Sequence, residues 1–76
     1  MESKILGRSL VVNWKDSDKA RELIELFVNA GTATIEVELQ YGDFDGDYVE
    51  FVIGNCDEGT FTGIISDLMV EGIELF

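Results

Sequence analysis

From residue 33 to residue 41 the chain alternates without a break. Ile35, Val37, Leu39 and Tyr41 fall on one side of an extended backbone, and Thr34, Glu36, Glu38 and Gln40 fall on the other. This is the pattern of a half-buried strand, which has to lay its apolar side on a second layer. Two helical stripes supply that layer. Over 18–30, Ala20, Leu23, Ile24, Phe27 and Val28 recur at i, i+3, i+4, i+7 and i+8. Over 58–71, Phe61, Ile64, Ile65, Leu68 and Met69 do the same. Asp16-Ser17-Asp18 offers oxygens to cap the first helix, and Asp57 or Thr60 to cap the second; Gly31 and Gly72 suit the residue after each helix end. Lys19 and Arg21 stand at the positive end of the first helix dipole, a placement that local propensity leaves unexplained.

Three more segments read as strands. Residues 4–14 place Leu10, Val12 and Trp14 on one face, and residues 48–54 turn Val49, Phe51 and Ile53 inward with Tyr48, Glu50 and Val52 outward. Ile73-Glu74-Leu75-Phe76 makes a short last strand. Between the two middle strands lies Gly42-Asp43-Phe44-Asp45-Gly46-Asp47. A two-residue Asp45-Gly46 turn would set inward residues of one strand against outward residues of the other. The alternation therefore predicts a bulged or longer turn that restores the parity, with Gly46 at positive φ.

The element order is βαββαβ, and it resembles the ferredoxin-like fold. That resemblance spans nearly the whole chain, without a diagnostic motif. It implies an α+β sandwich, with a four-stranded antiparallel sheet in the order 4-1-3-2 and both helices on one sheet face. RNA-recognition motifs of that fold carry aromatic and basic residues on the two central strands, whereas here the third strand carries Tyr48 and Glu50 and no Lys or Arg. Regulatory domains of the ACT type are similar in strand and helix order, but this chain has Asp16-Ser17-Asp18 where they have a glycine before the first helix. Likeness to them implies a third functional reading, a small-molecule-binding oligomer.

At 76 residues the chain is long enough for one small domain, and its 46% apolar content is that of a folded protein. No apolar run approaches the ~20 residues a membrane span needs, and no apolar leader precedes a cleavage site, so the expected location is cytoplasmic. A single cysteine, Cys56, and no histidine exclude an internal disulfide, tetrahedral zinc, and Ser/His/Asp or Cys/His catalysis within the chain. The expectation is a protein that is not an enzyme.

Charge narrows the partners. The net charge is −11, and all five cationic residues, Lys4, Arg8, Lys15, Lys19 and Arg21, precede Glu22. Such a surface repels nucleic acid and anionic lipid and attracts metal cations or basic protein surfaces. Asp43, Asp45, Asp47 and Glu50 crowd one hairpin, and Glu36 and Glu38 extend the acids onto the neighbouring strand if Glu38 lies beside Glu50. Hard cations take six to eight oxygens, so these six residues are the candidate ligands of a weak Ca²⁺ site, with Mg²⁺ second. The spacing departs from an EF-hand loop, since its glycine position holds Tyr48 and its bidentate glutamate position holds Gly54. An ordinary polar turn uses the same residue types. The alternative function is an acidic protein-interaction module or a nucleic-acid mimic whose carboxylates stand in for phosphates. Crowding of like charges further predicts carboxylate pKa values raised by folding.

Overall fold

The computed structural model describes residues 8–42 and 47–76. The expected start of the first strand at residues 4–7, and the hairpin residues Asp43, Asp45 and Gly46, lie outside the described residues. The elements in order are β1 (Arg8–Asn13), a 3₁₀ turn (Trp14–Asp16), α1 (Ser17–Asn29), β2 (Thr34–Tyr41), β3 (Tyr48–Gly54) and α2 (Glu58–Val70). The class is α+β: the described residues form two helices and an antiparallel three-stranded sheet in the order β1-β3-β2. The fourth strand expected at 73–76 is not formed. Leu75 makes one isolated antiparallel bridge to Val12, and the Phe76 N–H donates to the Val11 carbonyl at 2.9 Å.

Both helices close as the glycines indicate. The Gly31 N–H donates to the Val28 carbonyl and the Thr32 N–H to that of Phe27; Gly72 and Ile73 repeat this on Met69 and Leu68. These are Schellman closures, and each requires a left-handed residue, with φ of 81° at Gly31 and 82° at Gly72. Asp57 caps α2, its carboxylate accepting from the Thr60 N–H at 2.7 Å. The start of α1 departs from expectation. Asp16 makes no side-chain cap bond, because the 3₁₀ turn comes first: the Asn13 side chain accepts from the Lys15 N–H, and the Ser17 hydroxyl donates to the Trp14 carbonyl.

The core lies between the sheet and both helices. Leu10 and Val12 from β1, with Val49, Phe51 and Ile53 from β3, meet Ala20 and Ile24 of α1 and Ile64 and Leu68 of α2. Phe51 is fully buried at the centre. Met69, expected on the inner stripe of α2, is instead 64% exposed.

The largest departure concerns β2. It pairs with β3 through Tyr41↔Tyr48, Gln40↔Val49, Leu39↔Glu50, Glu38↔Phe51 and Val37↔Val52, then shifts by one residue to Ile35↔Ile53. Directly opposed residues share a sheet face. Glu38 and Gln40 therefore lie on the helix side with Phe51 and Val49. Val37, Leu39 and Tyr41, expected in the core, lie on the side the helices leave open. Glu36 is the extra residue of a β-bulge, and it lets Ile35 keep its inward place while the rest of β2 is inverted.

Candidate functional site

The inverted strand gives the sheet two chemically different sides. On the helix side, the Arg21 guanidinium grips Glu38: Nε donates to Oε1 at 3.1 Å, and Nη2 donates to Oε2. Nη1 also reaches Asp18 Oδ1 at 3.3 Å. Planar, two-pronged pairing of this kind is what guanidinium geometry favours with a carboxylate. The hydrogen bond from Arg21, followed by its charge, holds the Glu38 carboxyl below the ordinary glutamate range despite partial desolvation. Arg21 is correspondingly raised. Lys19 binds Glu71 at 3.2 Å, joining the first turn of α1 to the end of α2. The two cations at the unfavourable end of α1 are thus placed by partners distant in sequence.

The open side carries Ser9, Val11 and Asn13 of β1, Tyr48, Glu50 and Val52 of β3, and Val37, Leu39 and Tyr41 of β2, by the registers of the two ladders. Tyr41, Tyr48 and Phe76 form a chain of edge-to-face rings, with centroids 6.0 and 5.7 Å apart. The Tyr41 hydroxyl donates to Glu50 Oε1 at 2.7 Å. Hydrogen bonds from Tyr41 and Ser9 keep the Glu50 carboxyl below its usual range, and the same bond raises the Tyr41 phenol. At the far end of β2 the Glu36 carboxylate accepts from Thr34 Oγ1 at 2.9 Å. It folds over Gly54, where a Cβ would stand 2.7 Å from Glu36 Cγ. Bare backbone at Gly54 is what gives the bulged residue its room.

Among the described candidate cation ligands, Glu36, Glu38 and Glu50 do not share one surface. Glu38 faces α1 and is held by Arg21, whereas Glu50 faces the open side, so the expected pairing of Glu38 beside Glu50 is overturned by the register. Glu36 sits over Gly54, away from both. Asp47 offers its carbonyl to the Trp14 N–H at 2.8 Å. Asp43 and Asp45 lie outside the described residues. Among the described residues no three carboxylate or thiol side chains converge in a way that could hold a metal ion. Nor do Glu38, Glu50 and Asp57 follow the upward shift expected of crowded acids, since each is lowered by its own hydrogen bonds. Cys56 is buried, and desolvation pushes its thiol up, away from nucleophilic reactivity.

Sequence reasoning missed Val37, Leu39, Tyr41, Tyr48 and Phe76 as one exposed patch. A signal was present: the parity conflict across the hairpin is real, and it is relieved at Glu36, at the opposite end of β2 from the turn. Among the described residues no helix is long and apolar enough to cross a membrane. Comparison of the chain with protein-family models, with curated proteins and with solved structures found no match.

Proposed function

We propose that this chain is a non-enzymatic binding domain that recognises another protein through the open side of its sheet. One observation carries the reading. Val37, Leu39, Tyr41, Tyr48 and Phe76 remain exposed on one continuous face, while the helices cover the other. Contiguous apolar patches on small soluble domains mark interaction surfaces, and tyrosine is favoured there because its ring is apolar and its hydroxyl is not. The absence of histidine from the chain and the burial of Cys56 support a binding role over a catalytic one. The finer fold reading belongs to the same proposal: with Leu75 bridged to the outer side of β1, the segment 73–76 takes the place of a fourth strand in a ferredoxin-like order.

Selection of a randomised peptide library against the protein, with counter-selection against Leu39→Lys, tests the reading. Binders lost with that substitution support it, and a selection yielding none refutes it. A Ca²⁺ titration followed by amide shifts supplies the contrary outcome. Saturating changes confined to 42–50 and 36–38, with no face-dependent peptide, would replace the reading with that of a cation site.

A further inference from the structure

Resting on the reading of the open face as a protein-docking surface, we infer that its occupant is an amphipathic helix flanked by Lys or Arg side chains. The inference comes from the charges on that face and from its shape. Glu50 lies at its middle, and Glu36 closes one end of β2. The cations whose positions are described are turned elsewhere. Arg8 lies opposite Ile53 and over the Phe61 ring at 5.3 Å, Arg21 is bound to Glu38, and Lys19 is bound to Glu71. Lys15 lines a hollow with Trp14, Arg21 and Glu38 on the helix side.

A second copy of the chain is the wrong occupant. Face to face, two copies would bring the carboxylates of Glu36 and Glu50 together with no cation among the described residues of either face to neutralise them, which opposes association between desolvated surfaces. The aromatic rings do not redirect the face toward single-stranded nucleic acid either, because phosphates meet the same carboxylates. What remains complementary is an apolar centre with a cationic margin.

Shape selects a helix over a strand. Strand addition would use the outer edge of β2, which pairs with no other strand among the described residues, and the bulge between Ile35 and Val37 interrupts the ladder there. The open face is three strands across, roughly 15 Å at a spacing of about 4.8 Å, and an apolar stripe of three to four helical turns covers it. The opposite face is covered by two helices of 13 residues each.

The test uses the intact protein and a peptide of about 14 residues made of Leu and Lys, with Leu at i, i+3, i+4 and i+7. Two controls accompany it, one with Glu for every Lys and one with the same composition in shuffled order. The Leu/Lys helix is expected to shift the amides of 37–41, 48–52 and 76. Leu39→Lys should weaken it by about tenfold or more, as expected for a central apolar anchor. Val37→Lys provides a second variant with the same expectation. Met69→Lys adds the same charge on the other side and should leave affinity unchanged. Glu50→Gln should weaken binding severalfold and flatten its salt dependence. Equal binding by the shuffled peptide, shifts confined to the helix side, or indifference to Leu39→Lys would overturn the inference. Face-dependent binding with no preference for Lys over Glu would overturn it while leaving the proposed docking function standing.

Discussion

Truncation of Leu39 and of Ile53 to alanine separates the register found here from the one that simple alternation implies. If β2 presented all its odd-numbered residues to the core, Leu39→Ala would empty a packed site and remove about 2–5 kcal/mol. In the structure Leu39 is 45% exposed and looks away from the helices, whereas Ile53 is fully buried beneath them. Complete burial of such a side chain is worth about 1.5–3 kcal/mol, so losing the covered half of Leu39 removes roughly 1 kcal/mol and leaves no internal cavity. Ile53→Ala should remove the full 2–5 kcal/mol. For 76 residues, total stability of about 0.05–0.15 kcal/mol per residue comes to roughly 4–11 kcal/mol. The first variant therefore stays folded, and the second loses much of its margin. Urea titrations followed by far-ultraviolet circular dichroism measure both. With a slope near 1 kcal/mol per molar, the midpoint should fall by about 1 M for Leu39→Ala and by at least twice that for Ile53→Ala. Equal losses from the two substitutions would refute the inverted strand.

The pH dependence of stability follows from Glu38, whose folded pKa lies below its unfolded value of about 4.3; its contribution is present above that value and is lost as pH falls through the folded pKa. The urea midpoint should thus drop on acidification below about pH 4, and Glu38→Gln should shrink that drop; an unchanged acid limb would remove Arg21–Glu38 as its source. Cys56 should react slowly with a thiol reagent in the native state at pH 8 and rapidly in urea, because the folded thiol is buried and its pKa raised; fast native labelling would contradict the packing. Deleting Glu36 should leave Ile35 opposite Ile53 and Val37 opposite Val52 in a regular ladder. Cross-strand nuclear Overhauser contacts between those pairs should persist, and their loss would show that the bulge is required for the register.

Much of the architecture was legible because it rests on local chemistry. Gly31 and Gly72 stop their helices through left-handed closures that few other residues tolerate, and the Asp57 cap and the stripe through Ile24 follow from spacing alone. The inversion of β2 was not legible, since both of its faces can be satisfied. One offers Val37, Leu39 and Tyr41 to the core, and the other offers Glu38 to Arg21. Local alternation favours the first, and a contact spanning 17 positions in sequence accompanies the second. The same contact accounts for a cation at the wrong end of α1, a local anomaly that pointed to a distant partner. The expected placement of Glu38 beside Glu50 failed for the same reason. Grouping Glu38 with Glu50 assumed a parity that the bulge at Glu36 reverses.

Because no residue of β2 is fully buried and the strand meets the helix layer chiefly through Ile35 and the Arg21–Glu38 pair, its segment 37–41 can peel away from β3 without withdrawing a buried side chain of its own. Opening of that kind is a partial event, of lower free energy than global unfolding. Amide protons of 37–41 that bond to β3 then exchange with solvent through this fraying, while those at the centre of β1 and β3 wait for the whole molecule to open. An occupant pressed onto Val37, Leu39 and Tyr41 would register first as slowed exchange along β2, before any change in the core.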